Sequence, residues 1–324
     1  MMKAAIWTRY GPPEVLEIGS VRRPVPKRDE ILVRVAAANV FPGDCELRRF
    51  DVQRLYWLPL RLFIGIRRPR FKVLGQEFAG KIETVGSSVT RFKPGDAVFA
   101  PTRGIGAYAE FVCGKESMAA LKPVNLSYEE AACAPVGGLN ALHFLRTGDV
   151  GPGQKVLLNG AGGSIGTMAI QIAKVMGAEV TAVDKTPKLD RMLAIGADHV
   201  VDFTREDFTK SGVMYDVIVD IAGKAPFSQS LSCIKPGGRF VLGNPPPSHM
   251  IRRLWSRWTT GRKVIVALAP YRPGDLDYLA TLLASGKVKP VIDRLYPLAG
   301  IVSAHRYVET GQKIGNVVLT VTGP

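Results

Sequence analysis

The stretch from Lys155 to Asp184, KVLLNGAGGSIGTMAIQIAKVMGAEVTAVD, leaves the chain few choices of fold. Val156, Leu157 and Leu158 form a short apolar run suited to a buried strand, and Gly160-Ala161-Gly162-Gly163-Ser164-Ile165-Gly166 follows at once. Ile165, Met168, Ala169, Ile172 and Met176 then recur at helical spacing, and Gly177 stands where a left-handed cap would end that helix. Glu179 to Val183 is a second apolar strand, closed by Asp184, 18 residues beyond Gly166. This order predicts a β-α-β unit with a nucleotide-type turn. Gly160, Gly163, Ser164, Ile165 and Gly166 would let the backbone approach a pyrophosphate, and the N–H groups at the positive end of the helix would stabilise its charge. The plain alternative is a tight turn with no ligand, which leaves the glycines and the terminal acid as coincidences.

A chain of 324 residues, 46% hydrophobic and 22% charged, can build two domains with proper cores, and disorder is excluded as its main state. No apolar run reaches the roughly 18 residues that a membrane span needs, and the N-terminus MMKAAIWTRYGPPEV lacks the apolar core of a signal peptide, so a cytoplasmic location is expected. Cys45, Cys113, Cys133 and Cys233 are scattered, which argues against a disulfide framework and against a structural zinc site.

The net charge of +15 is concentrated in two stretches. Arg48 to Lys72 holds eight basic residues against Asp51 alone, and Pro245 to Arg272 holds six with no acid. Both also carry apolar bulk: Leu55, Tyr56, Trp57, Leu58, Leu60, Leu62 and Phe63 in the first, and Met250, Ile251, Leu254, Trp255 and Trp258 in the second. Basic side chains beside aromatic ones suit an anionic membrane surface. Nucleic acid is the rival partner, less favoured, and two basic loops, one of them at a subunit contact, are the plain alternative.

Residues 1 to 40 alternate in the β manner, with prolines at 12, 13, 24 and 26 keeping the links extended. The segments 75–86, 92–99 and 107–113 continue a small antiparallel β region. From about Ser127 the texture changes: 129–136 and 139–145 read as helices, and after Lys155 strands at 180–183, 199–203, 216–220 and 239–242 alternate with helices, which predicts parallel strands covered on both faces. Asp275 to Ala284 reads as a further helix and 315–321 as a closing strand.

Several motifs together give the chain a family resemblance. They are Met2-Lys3-Ala4-Ala5 with Gly11-Pro12-Pro13-Glu14-Val15-Leu16, Lys93-Pro94-Gly95-Asp96-Ala97-Val98, Gly106-Ala107-Tyr108-Ala109-Glu110-Phe111, the nucleotide turn, Gly196-Ala197-Asp198-His199-Val200, and Gly286-Lys287-Val288 leading to Tyr296-Pro297-Leu298. With them the chain resembles, nearly end to end, the medium-chain dehydrogenase/reductase superfamily and its zinc-free quinone oxidoreductase branch. The resemblance implies an α/β protein: a GroES-like β-rich catalytic domain at 1–126 and 269–324, and a Rossmann domain with a doubly wound parallel sheet inserted at 127–268. It places the active site in the cleft between them.

Zinc-dependent relatives carry a His ligand within Gly-His-Glu, and the matching position is Gln76, an amide that binds zinc poorly. Cys45, near the place of a second ligand, lacks matched partners, and Ala100 to Ala109 contains none of the cysteines of a structural zinc lobe. No zinc is therefore expected. Without a Lewis acid, the reaction implied is hydride delivery from reduced nicotinamide to a small lipophilic quinone or an α,β-unsaturated carbonyl, with the developing charge carried by hydrogen bonds. Asn39, Arg48 and Tyr108 are candidate donors, with Asp44 as their orienter. Phe41 stands where the family commonly has Asn, and the first tyrosine after Asp44 is Tyr56, so quinone or enone reduction ranks above enoyl thioester reduction.

Asp184 is placed to bind the ribose hydroxyls of NADH and to repel a 2′-phosphate. Lys185 and Lys188 follow it, and the resemblance matches Lys188 to a lysine of NADPH-binding members, so NADPH is expected with NADH left open. The resemblance also implies that Asn140, the backbone at Ala222, Gly223, Leu242 and Gly243, and Asn316 and Val317 meet the nicotinamide side, with Phe203 replacing a tyrosine near the adenosine phosphate. It suggests a homodimer through Rossmann sheet edges, the edge near 264–267 being the expected one. A different class of function, a nucleotide-binding sensor or membrane adaptor without turnover, is kept open by Phe41.

Overall fold

The computed structural model describes residues 1–52, 54–102, 104–245, 249, 261–267 and 269–322. The chain divides into two compact units. The first comprises Met1–Val136, Tyr271–Gly286 and Pro290–Pro324; the second comprises Gly137–Pro270 and Lys287–Lys289.

In the first unit β1 (Met2–Trp7) and β2 (Leu16–Val21) pair antiparallel. The main sheet is built from β3 (Glu30–Asn39), β4 (Glu77–Val85), β5 (Ala97–Pro101), β6 (Phe111–Lys115) and β7 (Ala120–Leu121), with β14 (Ile292–Pro297) and β15 (Asn316–Thr320) returning from the chain's end. Its order is β14-β15-β3-β4-β5-β7, with β6 added beside β3. The antiparallel β15–β3 pairing, Val318 against Asn39, makes the tail part of the same core as the N-terminal strands. Trp7, Val33, Leu74, Phe78, Tyr108, Ile301 and Val317 lie in that core, which accounts for their apolar run positions. Two helices follow β3: α1 (Pro42–Arg49) and α2 (Arg54–Ile64). The short α3 (Tyr128–Ala132) starts on a capping box in which the Ser127 hydroxyl accepts from Glu130 N–H.

The second unit begins within α4 (Pro135–Thr147) and holds β8 (Lys155–Asn159), α5 (Ser164–Val175), β9 (Glu179–Asp184), α6 (Leu189–Ala194), β10 (His199–Asp202), β11 (Tyr215–Asp220), α7 (Phe227–Ser232), β12 (Ile234–Leu242) and β13 (Lys263–Val266). Among the described residues all its pairings are parallel, in the order β10-β9-β8-β11-β12-β13. The chain winds outward from β8 to β10, then restarts at β11 on the other side. The carboxyl ends of β8 and β11 thus flank the reversal of strand order, where open α/β sheets leave a crevice for ligands. Leu157, Val183, Ile218, Phe240 and Leu242 form the core beneath it. The mixed architecture is the α/β class expected: one β-rich unit and one unit with a doubly wound parallel sheet.

Local details differ from the sequence reading. The strand expected at 107–113 starts only at Phe111. Ala107 and Tyr108 donate their N–H groups to Gly75 and Leu74 carbonyls, and Ala5 N–H donates to the Tyr108 carbonyl (2.9 Å), so this segment runs beside 74–75 and β1 instead of the main sheet. The basic and apolar stretch from Arg48 to Lys72, to which the sequence reading assigns no secondary structure, begins at the end of α1 and contains α2. The tail also contains helices α8 (Asp275–Ala284) and α9 (Ile301–Glu309), the second not anticipated. Met250, Ile251, Leu254, Trp255 and Trp258 lie outside the described residues.

Candidate functional site

The turn after β8 is built for close approach. Gly160 has φ +87°, and a Cβ there would stand 2.9 Å from the Ala222 Cβ; a Cβ on Gly166 would lie 2.4 Å from the Ala161 carbonyl oxygen. Gly163 caps α5 without offering a side chain to the first-turn N–H groups. Those donors and the helix dipole fit an anionic diphosphate, and Gly177, with φ +82°, ends the helix region as the sequence indicates.

Asp184 is buried and already engaged. Its Oδ2 accepts from Gly162 N–H at 2.9 Å, its Oδ1 accepts from Lys185 N–H at 2.9 Å, and Lys188 Nζ stands 3.2 Å from Oδ1 with both side chains largely covered. The acid therefore staples the glycine turn to the end of β9, and Lys188 neutralises it. Lys185 is exposed, and Phe203, 51% exposed, donates its N–H to the Asp184 carbonyl.

At the strand reversal Asn159 Nδ2 donates to Asp220 Oδ1 at 2.8 Å, and the same carboxylate accepts from Gly223 and Ala225 N–H. Burial pushes the Asp220 carboxyl up, against the pull of these hydrogen bonds. Ala222 and Gly223 are thereby fixed next to Gly160. Gly243 N–H donates to the Asp220 carbonyl (2.9 Å), and a Cβ on Gly243 would press on the Phe144 ring at 2.9 Å. Leu242 is buried, so it can offer a ligand only backbone, and Asn140 is half-buried on α4.

The first unit gathers the other expected residues into one buried polar cluster. Tyr108 Oη donates to Asp44 Oδ2 at 2.8 Å, and Oδ1 of Asp44 accepts from Gly75 N–H and Gln76 Nε2, each at 3.3 Å. Phe41 N–H adds a fourth donor at 3.1 Å. Asp44 thus ties the start of α1 to the segments 74–76 and 107–109. Burial pushes its carboxyl up to about 6, while these donors hold it down. Asn39 Nδ2 donates to Glu77 Oε1 at 2.6 Å and to Asn316 Oδ1 at 2.9 Å, and Asn316 Nδ2 donates to the Val291 carbonyl. Val136 N–H donates to the other Glu77 oxygen at 2.6 Å. Glu77 is pushed up to about 8 by burial, opposed by Asn39 and Val136. Val317 is buried in β15, its carbonyl accepting from Val40 N–H.

Against this chain, the model of the zinc-binding dehydrogenase family matches residues 195–319, and that of the alcohol dehydrogenase GroES-like domain matches 27–124. The 2-methylene-furan-3-one reductase of Solanum lycopersicum is 32% identical over 98% of the chain and 79% of the relative's length. The chain belongs to the medium-chain dehydrogenase/reductase superfamily. It falls in the quinone oxidoreductase-like branch: the NADPH-dependent alkenal/one oxidoreductase of Arabidopsis thaliana is 32% identical over 98% of the chain and 79% of its own length. The solved quinone oxidoreductase of Coxiella burnetii superposes with a TM-score of 0.87, at 27% identity, over 99% of each chain. Like its superfamily, this chain is an oxidoreductase using a nicotinamide cofactor.

Zinc, which the name of one matching family evokes, does not suit the donors present. Gln76 uses its amide to donate to Asp44. The Cys45 thiol is pushed up by burial and by the Asp44 charge, which disfavours the thiolate a metal needs. Its sulfur lies 3.3 Å from His305 Nδ1, and burial pulls that imidazole down to about 3, so it stays neutral. Among the described residues no group of three His, Cys, Asp or Glu side chains is placed to hold a metal ion.

Arg48, expected as a donor, is fully buried and ion-paired to Glu309. Glu77, His305 and Glu309 were not anticipated as members of this cluster. A signal existed for His305: Ile301, Ala304, His305 and Val308 fall on one face of α9, and all are buried.

Proposed function

We propose that this oxidoreductase is a zinc-independent, NADPH-preferring reductase of quinones or α,β-unsaturated carbonyl compounds. Two observations support the reading: a glycine turn after β8 that tolerates no Cβ at Gly160 or Gly166, and a Gln76 and Cys45 environment unsuited to a Lewis acid. The bound nicotinamide would supply a hydride, and an acceptor already electrophilic needs no metal to receive it.

In this reading Gly160, Gly163, Ser164, Ile165 and Gly166 cradle the diphosphate. The Lys188 pairing supports NADPH, because it cancels the Asp184 charge that would repel a 2′-phosphate, and exposed Lys185 supplies a further cation. Phe203 is proposed to lie near the adenosine phosphate, where it offers a ring without a hydroxyl donor. Ala222, Gly223, Leu242 and Gly243 offer backbone groups; Asn140 in the second unit and, separately, Asn316 and Val317 in the first are proposed for the nicotinamide side. Asn39, Asp44 and Tyr108 are proposed as positioning residues: their hydrogen bonds to one another's segments and their complete burial support a role in holding backbone geometry.

The exposed apolar and basic run at 56–72 supports work at a membrane surface, where lipophilic acceptors concentrate; no described helix is long and apolar enough to cross one. The outer edge of β13 supports a homodimer, to be read as mass by light scattering. NADPH oxidation with 1,2-naphthoquinone, 9,10-phenanthrenequinone and a simple enone tests the central reading. If none is reduced while NADPH still binds, a sensor without turnover takes its place.

A further inference from the structure

Helix α2 carries its polarity inside out. Its inward side holds Leu60, the buried Ile64, and Arg61, whose guanidinium lies 3.9 Å from the Tyr10 ring centroid, 4.1 Å from that of Phe50 and 5.3 Å from that of Trp57. Tyr10 Oη donates to the Gly65 carbonyl at 2.5 Å and holds the helix end. The outward side is Leu58, Pro59, Leu62 and Phe63, with Leu58 60%, Leu62 53% and Phe63 66% exposed, and Ile66 continues it at 61%. A helix on the surface of a soluble protein would place these the other way round.

The rim of this face is cationic. Arg67, Arg68, Arg70 and Lys72 are all exposed, none has an ion-pair partner among the described residues, and no acid occurs from 52 to 76. A second copy of the chain fits poorly, since two-fold self-pairing would press one basic rim against its own image. Nucleic acid would leave Leu58, Leu62 and Ile66 without a role, because aliphatic side chains neither stack on bases nor bind phosphate. An anionic bilayer answers both features, the acyl boundary taking the aliphatic and aromatic groups and lipid phosphates taking the arginines.

We propose that α2 is an interfacial anchor that seats Leu58, Leu62, Phe63 and Ile66 in the headgroup boundary of an anionic membrane, with Arg67, Arg68, Arg70 and Lys72 on lipid phosphates. This deepens, and rests on, the membrane-surface part of the proposed function.

The test is co-sedimentation of the full chain at low salt with vesicles of phosphatidylcholine alone or with one quarter phosphatidylglycerol. The wild type binds the anionic vesicles. L62E/F63E, altered only at exposed side chains, binds at least about tenfold more weakly, and R67Q/R68Q loses affinity mainly for the anionic vesicles. NADPH titration reports that each variant is folded. The assignment is overturned if the wild type binds neither vesicle, if both variants bind like the wild type, or if L62E/F63E halves the mass seen by light scattering, which would give the face to a second copy. Retention on a DNA duplex that L62E/F63E leaves intact would give it to nucleic acid and also overturn it. Reduction of water-soluble 1,2-naphthoquinone-4-sulfonate without vesicles reads the reductase function separately: its failure with vesicle binding retained removes that function and leaves the anchor standing.

Discussion

The glycine turn after β8 and the cluster around Asp44 and Glu77 both hold polar groups inside apolar cores, but they reach that state by different routes. The turn is made by neighbours in sequence: Gly160 to Gly166 and the acid that closes the next strand, with Lys188 four residues further on. The cluster is made by strangers: Asn39 from β3, Asp44 from α1, Glu77 from β4, Tyr108 from a segment outside the main sheet, and Asn316 from the tail. In the first, glycines leave the first-turn N–H groups of α5 without a capping side chain. In the second, side chains satisfy one another, and the cost of burial is written into the raised carboxyls of Asp44 and Glu77.

If the turn is a local device, a single side chain should disable it. Gly166→Val would drive Cβ and its methyls into the Ala161 backbone, and NADPH affinity by fluorescence titration is expected to fall at least about 100-fold, or roughly 2.7 kcal/mol. Affinity retained within about threefold would mean that the turn is not the diphosphate site.

A smaller effect sharpens the coenzyme reading. Lys188→Ala strips Asp184 of its counter-charge, so the carboxylate again opposes a 2′-phosphate. NADPH affinity is expected to fall about tenfold relative to NADH, measured as the ratio of the two Kd values. An unchanged ratio would return Asp184 and Lys188 to a purely structural role.

The smallest effect belongs to the cluster and appears in pH dependence. In both Asp44 and Glu77 the folded carboxyl is raised, so between the ordinary carboxylate range and the folded value the native state holds more protons than the unfolded chain. Stability therefore falls as pH rises through that window, up to about 6 for Asp44 and about 8 for Glu77. In Glu77→Gln the decline of Tm between about 6 and about 8 is expected to vanish, on the order of a few degrees, while the decline below about 6 remains. A melting curve series that keeps its slope above pH 6 in the variant would place the titration elsewhere.

Most of the second unit was legible beforehand because β8, the glycine turn, α5 and β9 each announce themselves by period and by glycine. The cluster was half legible. Sequence patterns point to Asn39, Asp44 and Tyr108 but not to Glu77, since a buried acid looks in sequence like a solvated one, while His305 is betrayed only by the buried face it shares with Ile301, Ala304 and Val308. The strand expected at 107–113 failed for a related reason: its apolar alternation is real, but its first residues spend their hydrogen bonds on 74–75 and β1. Likewise α2 was noticed for charge and bulk, while the inversion of its faces depends on Arg61 finding three aromatic rings contributed by Tyr10, Phe50 and Trp57.

By itself the sequence determined the α/β class, the glycine turn between β8 and α5, and the family, because those rest on short-range periodicity and on glycines whose backbone freedom no other residue shares. Tertiary structure alone decided that Asn39 meets Glu77 and Asn316, that Asp44 and Glu77 are buried and raised, and which side of α2 faces water. Burial and charge compensation are properties of the groups that long-range folding brings within a few ångströms, and no local pattern encodes them.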